Sequence, residues 1–141
     1  MAAARQLILA DASALVAVLD EREHNHRRCA DWLRGLRNAD LVTTCAAFAE
    51  AMYLLGSRYG WRGRRALWDL LERGLLRVAP GPIDFSPVAA LMATYRETRM
   101  ALANAQLMSL AEDLPDPLIF TLDSDFTVYR VRDGSVPKLV P

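Results

Sequence analysis

Acidic side chains interrupt three apolar runs of this sequence, and their placement limits what the chain can fold into. Asp11 separates the run at 7–10 from the run at 14–19, Glu50 is the only charge between residues 45 and 55, and Asp123 closes the run at 118–122. Such runs are normally buried, and a buried carboxylate is costly unless it is paired or bound to a metal ion. We therefore expect these acids to converge on a cation.

Short apolar runs alternate with longer segments of helical periodicity along the chain. This alternation predicts a single three-layer α/β/α domain over residues 1–141 with a mainly parallel central sheet. Strands are predicted over residues 7–10, 41–43, 75–79, 117–122 and 138–140. Helices are predicted over residues 12–19, 23–38, 44–58 with Thr44 as N-cap, 64–73 with Gly74 as the stop, 86–98 and 100–113.

Composition excludes several classes of protein. The chain has 17 basic and 17 acidic residues, so no overall positive field attracts nucleic acid, and any such contact requires a local patch. Its two cysteines form no disulfide framework, which favours a cytoplasmic location. The first apolar run is too short to span a bilayer and contains Asp11, so we expect neither a signal peptide nor a membrane anchor.

The predicted sheet gives the polar residues a common destination. Parallel α/β sheets bind ligands beyond the carboxyl ends of their strands, where Asp11, Asp123 and Glu50 are expected. Asn104, near the start of the helix at 100–113, is expected at the same edge. Oxygen ligands without a convergent His or Cys set favour Mg²⁺ or Mn²⁺, which can support phosphodiester hydrolysis. The alternative is that the two aspartates only cap helices and Glu50 forms a buried salt bridge.

Three segments together resemble the PIN domain, in the branch of VapC-type toxins. The resemblance implies an α/β/α nuclease fold with an acidic Mg²⁺ or Mn²⁺ site that cuts RNA. It further implies a homodimer inhibited by a cognate VapB-like antitoxin, with no DNA contact by the toxin itself. The segments that carry the resemblance are Asp-Ala-Ser-Ala-Leu-Val-Ala from Asp11, Thr43-Thr44 leading to Glu50, and Phe-Thr-Leu-Asp-Ser-Asp-Phe at 120–126 followed by Tyr129-Arg130.

By this resemblance, Asp11 matches the first acid of the family site, Glu50 the second and Asp123 the fourth. Asp125 matches a frequent additional acid, and Ser13 matches a hydroxyl that supports the first acid.

The third motif departs from the family pattern. Both of its acids are absent, because Ala101 and Asn104 stand in their places. An asparagine keeps a carbonyl oxygen that Mg²⁺ accepts, but it lacks the negative charge and cannot act as a base.

The departure at Asn104 leaves more than one function open. The chain is a nuclease of reduced activity, a nuclease disarmed by an engineered change at this position, or a degenerate PIN domain that binds RNA or antitoxin without cutting. A receiver or haloacid-phosphatase domain also places aspartates after parallel strands. That alternative is disfavoured because the Asp11 segment has no second aspartate of a phosphatase motif and Lys138 is the only lysine.

The densest basic stretch lies at residues 58–65 and interleaves arginines with Tyr59 and Trp61. Arginines with aromatic neighbours suit phosphate contact and base stacking. A solvated helix connection with Trp61 packed on the core explains the pattern equally well. The candidate RNA-binding residues of this stretch are Arg58, Arg62, Arg64 and Arg65.

Overall fold

A computed structural model describes residues 5–141, so residues 1–4 of the predicted domain lie outside the described part. The central sheet has five strands in the order β3-β2-β1-β4-β5, and every neighbouring pair is parallel. The prediction of a mainly parallel sheet is thus confirmed. The strands are β1 (Gln6–Ala10), β2 (Ala39–Thr44), β3 (Arg77–Ala79), β4 (Leu118–Phe120) and β5 (Lys138–Val140).

Six α-helices connect these strands in the described part of the chain. The predicted α1 is confirmed residue for residue, and Thr44 caps α3 by accepting a hydrogen bond from the amide of Ala47 at 3.1 Å. The helices are α1 (Ala12–Leu19), α2 (His26–Gly35), α3 (Cys45–Tyr59), α4 (Trp61–Glu72), α5 (Ser86–Thr94) and α6 (Leu102–Ala111).

Several predicted boundaries are wrong, two of them for a clear local reason. The helix predicted over 86–98 ends at Thr94, and a separate 3-10 turn over Arg96–Thr98 ends at Arg99, whose φ is +55°. The strand predicted over 75–79 starts late because the amides of Leu75 and Leu76 bond to the carbonyl of Leu70 and close α4. The predicted helices at 23–38 and 100–113 are shorter, as α2 and α6.

Apolar side chains cover both faces of the sheet and form a core on each side. On one face, Ile8 of β1 packs in the cluster that holds Leu15 of α1 and Leu55 of α3. On the other face, Leu9 of β1 packs in the cluster that holds Leu107 and Met108 of α6. The three-layer α/β/α architecture is thereby confirmed. No helix within residues 5–141 is long and apolar enough to cross a membrane.

Sheet topology singles out one edge as a place for a ligand. From β1 the chain moves to β2 and β3 on one side, and the later strands β4 and β5 lie on the other side. The carboxyl ends of β1 and β4 therefore flank the point where strand order reverses, which is the usual ligand crevice of open α/β sheets. Asp11 follows β1 directly, and Asp123 lies three residues beyond β4.

Asp20 at the C-cap of α1 is the buried acid of an ion pair between α1 and α3. The residue is 2% exposed, and its carboxylate accepts hydrogen bonds from the Tyr59 hydroxyl and from Arg58 Nη1 at 2.7 Å. Burial alone would raise the pKa of Asp20, but hydrogen bonds from Tyr59, the Arg22 amide and Arg58 hold it below its ordinary value. The same guanidinium also reaches Glu23 at 2.7 Å. Arg58 is therefore engaged in holding α1 against α3.

Replacing Asp20 with alanine is expected to lower the free energy of unfolding by about 2 to 3 kcal/mol, because the Tyr59 hydroxyl and the Arg22 amide lose their acceptor and Arg58 keeps only Glu23. The stability that Asp20 contributes to the parent should be fully present at pH values above 3.8, the ordinary pKa of an aspartate. It should be lost as the pH falls through the lower pKa of Asp20 in the folded protein. Urea unfolding at pH 7 and pH 3 measures both effects. Asp31→Ala is the control, since its pair with Arg34 is exposed and should cost less than about 0.5 kcal/mol. Equal losses in the two variants would contradict this account.

Candidate active site

Asp11 is the most tightly held acid at the carboxyl edge of the sheet. It is 4% exposed and caps α1, where its Oδ1 accepts hydrogen bonds from the Ala14 amide at 3.0 Å and the Ser13 hydroxyl at 2.7 Å. Its Oδ2 accepts a hydrogen bond from the Thr121 hydroxyl at 2.5 Å. Both carboxylate oxygens are thus fixed in position before any ligand arrives.

Two hydroxyl groups tie the segment after β1 to the segment after β4. Ser13 Oγ accepts a hydrogen bond from the Leu122 amide at 3.0 Å, and Thr121 Oγ1 accepts one from the Asp123 amide at 2.9 Å. Ser13 thus lies where the sequence placed it, beside Asp11. Thr121 was missed by the sequence analysis, and its only signal was a hydroxyl two residues before Asp123 in a buried run. Its 7% exposure and three polar contacts make it the link between the two acids.

Asp123 and Asn104 meet on the other side of this link. Asp123 caps the 3-10 turn Ser124–Thr127, with Oδ1 accepting from the Asp125 amide at 2.9 Å. Its Oδ2 accepts a hydrogen bond from Asn104 Nδ2 at 3.3 Å, and Asn104 Nδ2 also lies 3.5 Å from the hydroxyl of buried Tyr129. Asp125 is exposed at the rim. The structure therefore brings Asp11, Ser13, Asn104 and Asp123 into one hydrogen-bonded system.

Glu50 does not share the burial of Asp11. The sequence predicted a buried carboxylate, but Glu50 is exposed on α3, and Asp123 is only half-buried. The helix turns Phe48 and Ala51 toward the core and Glu50 toward solvent. Within residues 5–141, no group of three or more Asp, Glu, His or Cys side chains is arranged to hold a metal ion. The predicted burial is thus correct for one acid of the three.

Negative charge is disfavoured around Asp11. Burial raises the pKa of the Asp11 carboxyl, and hydrogen bonds from Thr121, Ser13 and the Ala14 amide offset part of that rise. The neighbouring charge of Asp123 raises it further. Burial also raises the pKa of the Tyr129 hydroxyl, with the charges of Asp125 and Asp123 adding to the rise. A cation between these carboxylates would relieve this repulsion.

Replacing Thr121 with valine is expected to lower the free energy of unfolding by about 1 to 3 kcal/mol, although the shape is conserved. The reason is that Asp11 loses a donor and the Asp123 amide loses its acceptor. Thermal and urea unfolding measure the loss. Thr127→Val is the control, because that hydroxyl only donates to the exposed carbonyl of Ser124. A Thr121→Val protein as stable as its parent would show that the hydrogen bonds of the Thr121 hydroxyl do not stabilise the fold.

The basic stretch at 58–65 is partly neutralised by acids of the same fold. Arg58 pairs with Asp20 and Glu23, and Arg65 pairs with Asp69 at 2.8 Å and Glu72 at 2.5 Å. The guanidinium of Arg62 lies 5.9 Å from the centre of the Tyr59 ring, while Trp61 is 64% exposed and is not packed on the core. The side chain of Arg64 lies over Gly56. Arg62 and Arg64 make no ion pair with residues 5–141.

Known proteins of similar sequence and structure include bacterial VapC proteins. The chain is 27% identical over 136 residues to Ribonuclease VapC26 of Mycobacterium tuberculosis, covering 95% of this chain and all of that one. The crystal structure of Mycobacterium tuberculosis VapC20, a Sarcin-Ricin loop cleaving toxin, matches with a TM-score of 0.78 and 17% identity over 86% of this chain and 93% of that one. Rickettsia felis VapBC2, solved on a promoter DNA fragment, matches with a TM-score of 0.59 and 13% identity over 96% and 98%.

The sequence itself places the chain in a family. Residues 8–131 match the PIN domain, which is most of the chain and includes every acid of the candidate site. The resemblance inferred from the three segments is therefore confirmed, and the receiver and haloacid-phosphatase alternatives fall away. The chain belongs to the PIN-domain family.

Proposed function

We propose that the protein is a Mg²⁺- or Mn²⁺-dependent endoribonuclease of the VapC type. The observation that carries the proposal is the buried Asp11 carboxylate, held with both oxygens fixed and linked through Thr121 to Asp123 at the ligand crevice of the sheet. Such a group is electrostatically costly in the free protein, and the arrangement is explained if a cation binds there. The relative named a ribonuclease and the VapC20 structure support RNA as the substrate.

The donor set fits one hard divalent cation. Asp11, Asp123 and Asn104 offer only oxygen ligands, because Asn104 donates from Nδ2 and keeps its carbonyl oxygen as an acceptor. A bound Mg²⁺ or Mn²⁺ supplies a water of lowered pKa and polarises a phosphate oxygen. The chain's own part is to hold Asp11 rigid through Thr121, Ser13 and the Ala14 amide, and to hold Asp123 against Asn104.

The exposed acids are assigned a different task. Glu50 on α3 and Asp125 in the 3-10 turn are exposed, so neither has the cost of burial that marks Asp11 as a ligand for the ion. Asp125 is tied through its amide to Asp123, which fixes its backbone. We propose that these acids orient the attacking water, while Asp11 and Asp123 bind the ion.

A second candidate function is a PIN domain that binds RNA or antitoxin without cutting. The observation that favours it is Asn104, whose amide occupies the place of an acid and already satisfies Asp123. This candidate shares the fold and the partners of the first. It differs in expecting no cleavage with any divalent ion.

We further propose a VapB-like antitoxin and a second copy of this chain as partners. Structures similar to this one include VapBC complexes from Rickettsia felis and nontypeable Haemophilus influenzae. The described surface also carries large exposed apolar side chains, which contact with a partner would bury. Those side chains are Tyr53, Trp61, Ile83, Phe85 and Leu102.

Incubation of the purified chain with structured RNA tests the function. Cleavage is expected with Mg²⁺ or Mn²⁺ and is expected to stop in EDTA and in an Asp123→Asn variant. Mass spectrometry of the product ends identifies phosphodiester hydrolysis and rules out contaminating metal-independent nucleases. RNA that stays intact with both metals would contradict the nuclease and leave the binding module as the function.

Replacing Arg62 with glutamine is expected to weaken RNA binding about two- to fivefold at low salt and to reduce the salt slope by about one. Arg62 is a cation of the basic stretch without an acidic partner in the described chain. Fluorescence anisotropy with a labelled RNA measures both. Arg65→Gln is the matched control, because Asp69 and Glu72 already neutralise that arginine. A larger loss for Arg65→Gln than for Arg62→Gln would exclude this surface as the RNA contact.

A further inference from the structure

A cavity at the carboxyl ends of β4 and β5 shares two residues with the candidate active site. It has a volume of about 270 Å³ and lies between the start of α2, the segment after β4 and the end of β5. Thr121 and Asp123, which belong to the hydrogen-bonded link between the two acids, form part of its wall. A group bound in this cavity would therefore lie next to Asp123.

Arg28 of α2 is the one cation among the described residues that line this cavity. It is exposed, and its Nη2 donates a hydrogen bond at 3.1 Å to the carbonyl oxygen of Pro141, just beyond β5. This bond holds the guanidinium between α2 and the end of the sheet. Arg28 has no acidic partner within residues 5–141, and its other N–H groups have no acceptor there. It is therefore a positioned cation with free donors.

Two uncharged side chains add further donors to the same cavity. Asn25 is the N-cap residue of α2, but its side chain does not cap the helix. Ser124 is exposed after β4, and its hydroxyl has no hydrogen-bond partner in the described part of the chain. The positive end of the α2 dipole, which lies at Asn25, adds to the charge of Arg28. A positive charge and several donors thus converge on one space.

These groups match an anion that carries several oxygen acceptors. Guanidinium groups bind phosphate through parallel N–H bonds, and hydroxyl and amide side chains are common phosphate contacts. Asp123 in the wall would repel an anion, but the ion that we propose between Asp11 and Asp123 would offset that charge. The anions of an RNA strand that lie next to a cleaved phosphate are the phosphates on either side of it.

We propose that this cavity binds a backbone phosphate of the RNA adjacent to the one that is cut, with Arg28 as the cation and Asn25 and Ser124 as hydrogen-bond donors. A strand held at the ion by one phosphate brings its neighbouring phosphates close to Asp123, where the cavity lies. A contact of this kind positions the strand and reads no sequence. The inference rests on RNA being the substrate, as proposed above.

Replacing Arg28 with glutamine tests the contact without any need for catalysis. Fluorescence anisotropy follows binding of a labelled single-stranded RNA in EDTA across a salt series. Arg28→Gln is expected to weaken binding about two- to fivefold and to reduce the salt slope by about one, whereas Arg28→Lys keeps the charge and should keep the slope. The charge of Asp123 is the same in each protein, so the differences report the arginine alone.

Arg27→Gln is the matched control for this measurement. Arg27 is an exposed arginine on the same turn of α2, but it does not line the cavity. Its replacement should weaken RNA binding less than Arg28→Gln does. Equal losses in the two variants would reduce the effect to overall charge and overturn the proposal. No loss with Arg28→Gln would also overturn it, and would leave the cavity to a carboxylate of a protein partner.

A single methylphosphonate in an RNA that the protein cuts locates the bound phosphate. This group replaces one charged phosphate oxygen by methyl and is placed in turn on each side of the cleaved bond. At one of the two places it should raise KM severalfold for the parent and for Arg27→Gln, with kcat little changed, because the phosphate does not react. It should add nothing to Arg28→Gln. A penalty as large in Arg28→Gln as in the parent would contradict the contact.

Asn25→Asp keeps the proposal falsifiable if Arg28→Gln fails to fold. Aspartate is as good an N-cap as asparagine, so α2 should remain stable while a negative charge enters the cavity. RNA binding is expected to weaken about two- to fivefold. Asn25→Ser, a neutral N-cap, is the control and should weaken binding less. Unchanged binding by Asn25→Asp would contradict an anion in this cavity.

The same variants separate this inference from the proposed function. Metal-dependent RNA cleavage in which Arg28→Gln and Arg27→Gln behave alike would overturn the phosphate cavity and leave the nuclease intact. A selective loss of RNA binding in Arg28→Gln, in a protein that cuts no RNA, would support the cavity and contradict the nuclease.

Discussion

Replacing Asp11 with asparagine is expected to lower RNA cleavage by about a hundredfold or more while leaving the protein at least as stable as its parent. Loss of a directly acting charge has an effect of this order on a reaction that depends on electrostatic stabilisation. Stability is retained because the folded protein disfavours the charge of Asp11, whose pKa is raised chiefly by burial. An amide removes that cost. Cleavage rates and thermal unfolding of the two proteins measure both effects.

The pH dependence of this comparison has a definite sign. The folded pKa of Asp11 lies above the ordinary value of 3.8, so the parent loses stability as the pH rises from that value through the folded pKa. Without metal, the Asp11→Asn protein should therefore become more stable relative to the parent over that pH interval, and it should keep this advantage at higher pH. Mg²⁺ should raise the melting temperature of the parent and not of the variant. Asp116→Asn, at an exposed acid outside the candidate site, is the control for the change from acid to amide. A variant that cuts RNA at the parental rate would exclude Asp11 from the reaction.

Replacing Asn104 with aspartate is expected to raise both cation affinity and cleavage roughly ten- to a hundredfold. An added unit charge beside a divalent ion is worth about 1.4 to 3 kcal/mol after screening. The gain has a cost in the metal-free protein, because Asn104 no longer donates to Asp123 and two carboxylates face each other. Metal-free Asn104→Asp should therefore melt lower than its parent and regain stability with Mg²⁺.

Cleavage rates measured across a Mg²⁺ titration, together with melting curves with and without metal, test this prediction. Asn104→Ala is the matched control, since it removes the hydrogen bond to Asp123 without adding a charge. It should melt lower and cut no better. If aspartate at this position improved neither metal binding nor cleavage, position 104 would lie outside the cation site, and the missing family acid would not explain any loss of activity.

The elements that sequence reasoning predicted best are those with strong local signals. The helix at 12–19 begins at a capping aspartate and ends with its apolar run, and the strand at 138–140 was predicted with its observed bounds. The helix at 86–98 was overextended because the backbone leaves α-helical geometry at Tyr95, whose ψ is +28°, and continues as a 3-10 turn that no residue preference announces. Alanine-rich α3 misled the prediction for Glu50, since alanines suit both buried and exposed faces of a helix.

The acids of the candidate site were predicted from the sequence, but the residues that hold those acids in position were not. Asp11 and Asp123 were identified because a carboxylate in an apolar run is conspicuous. Thr121 was not, because a β-branched residue in a strand needs no special explanation until its hydroxyl is placed between two acids.

Binding of Mn²⁺ to the metal-free protein, followed by electron paramagnetic resonance, tests the central claim most directly. The claim is that Asp11 and Asp123, linked through Thr121, form a cation site at the carboxyl edge of β1 and β4. The account predicts that the parent removes Mn²⁺ from the free signal, that Asp11→Asn leaves it free, and that Asn104→Asp binds it more tightly. Mn²⁺ that stays free with the parent, or that binds Asp11→Asn equally well, would contradict the account.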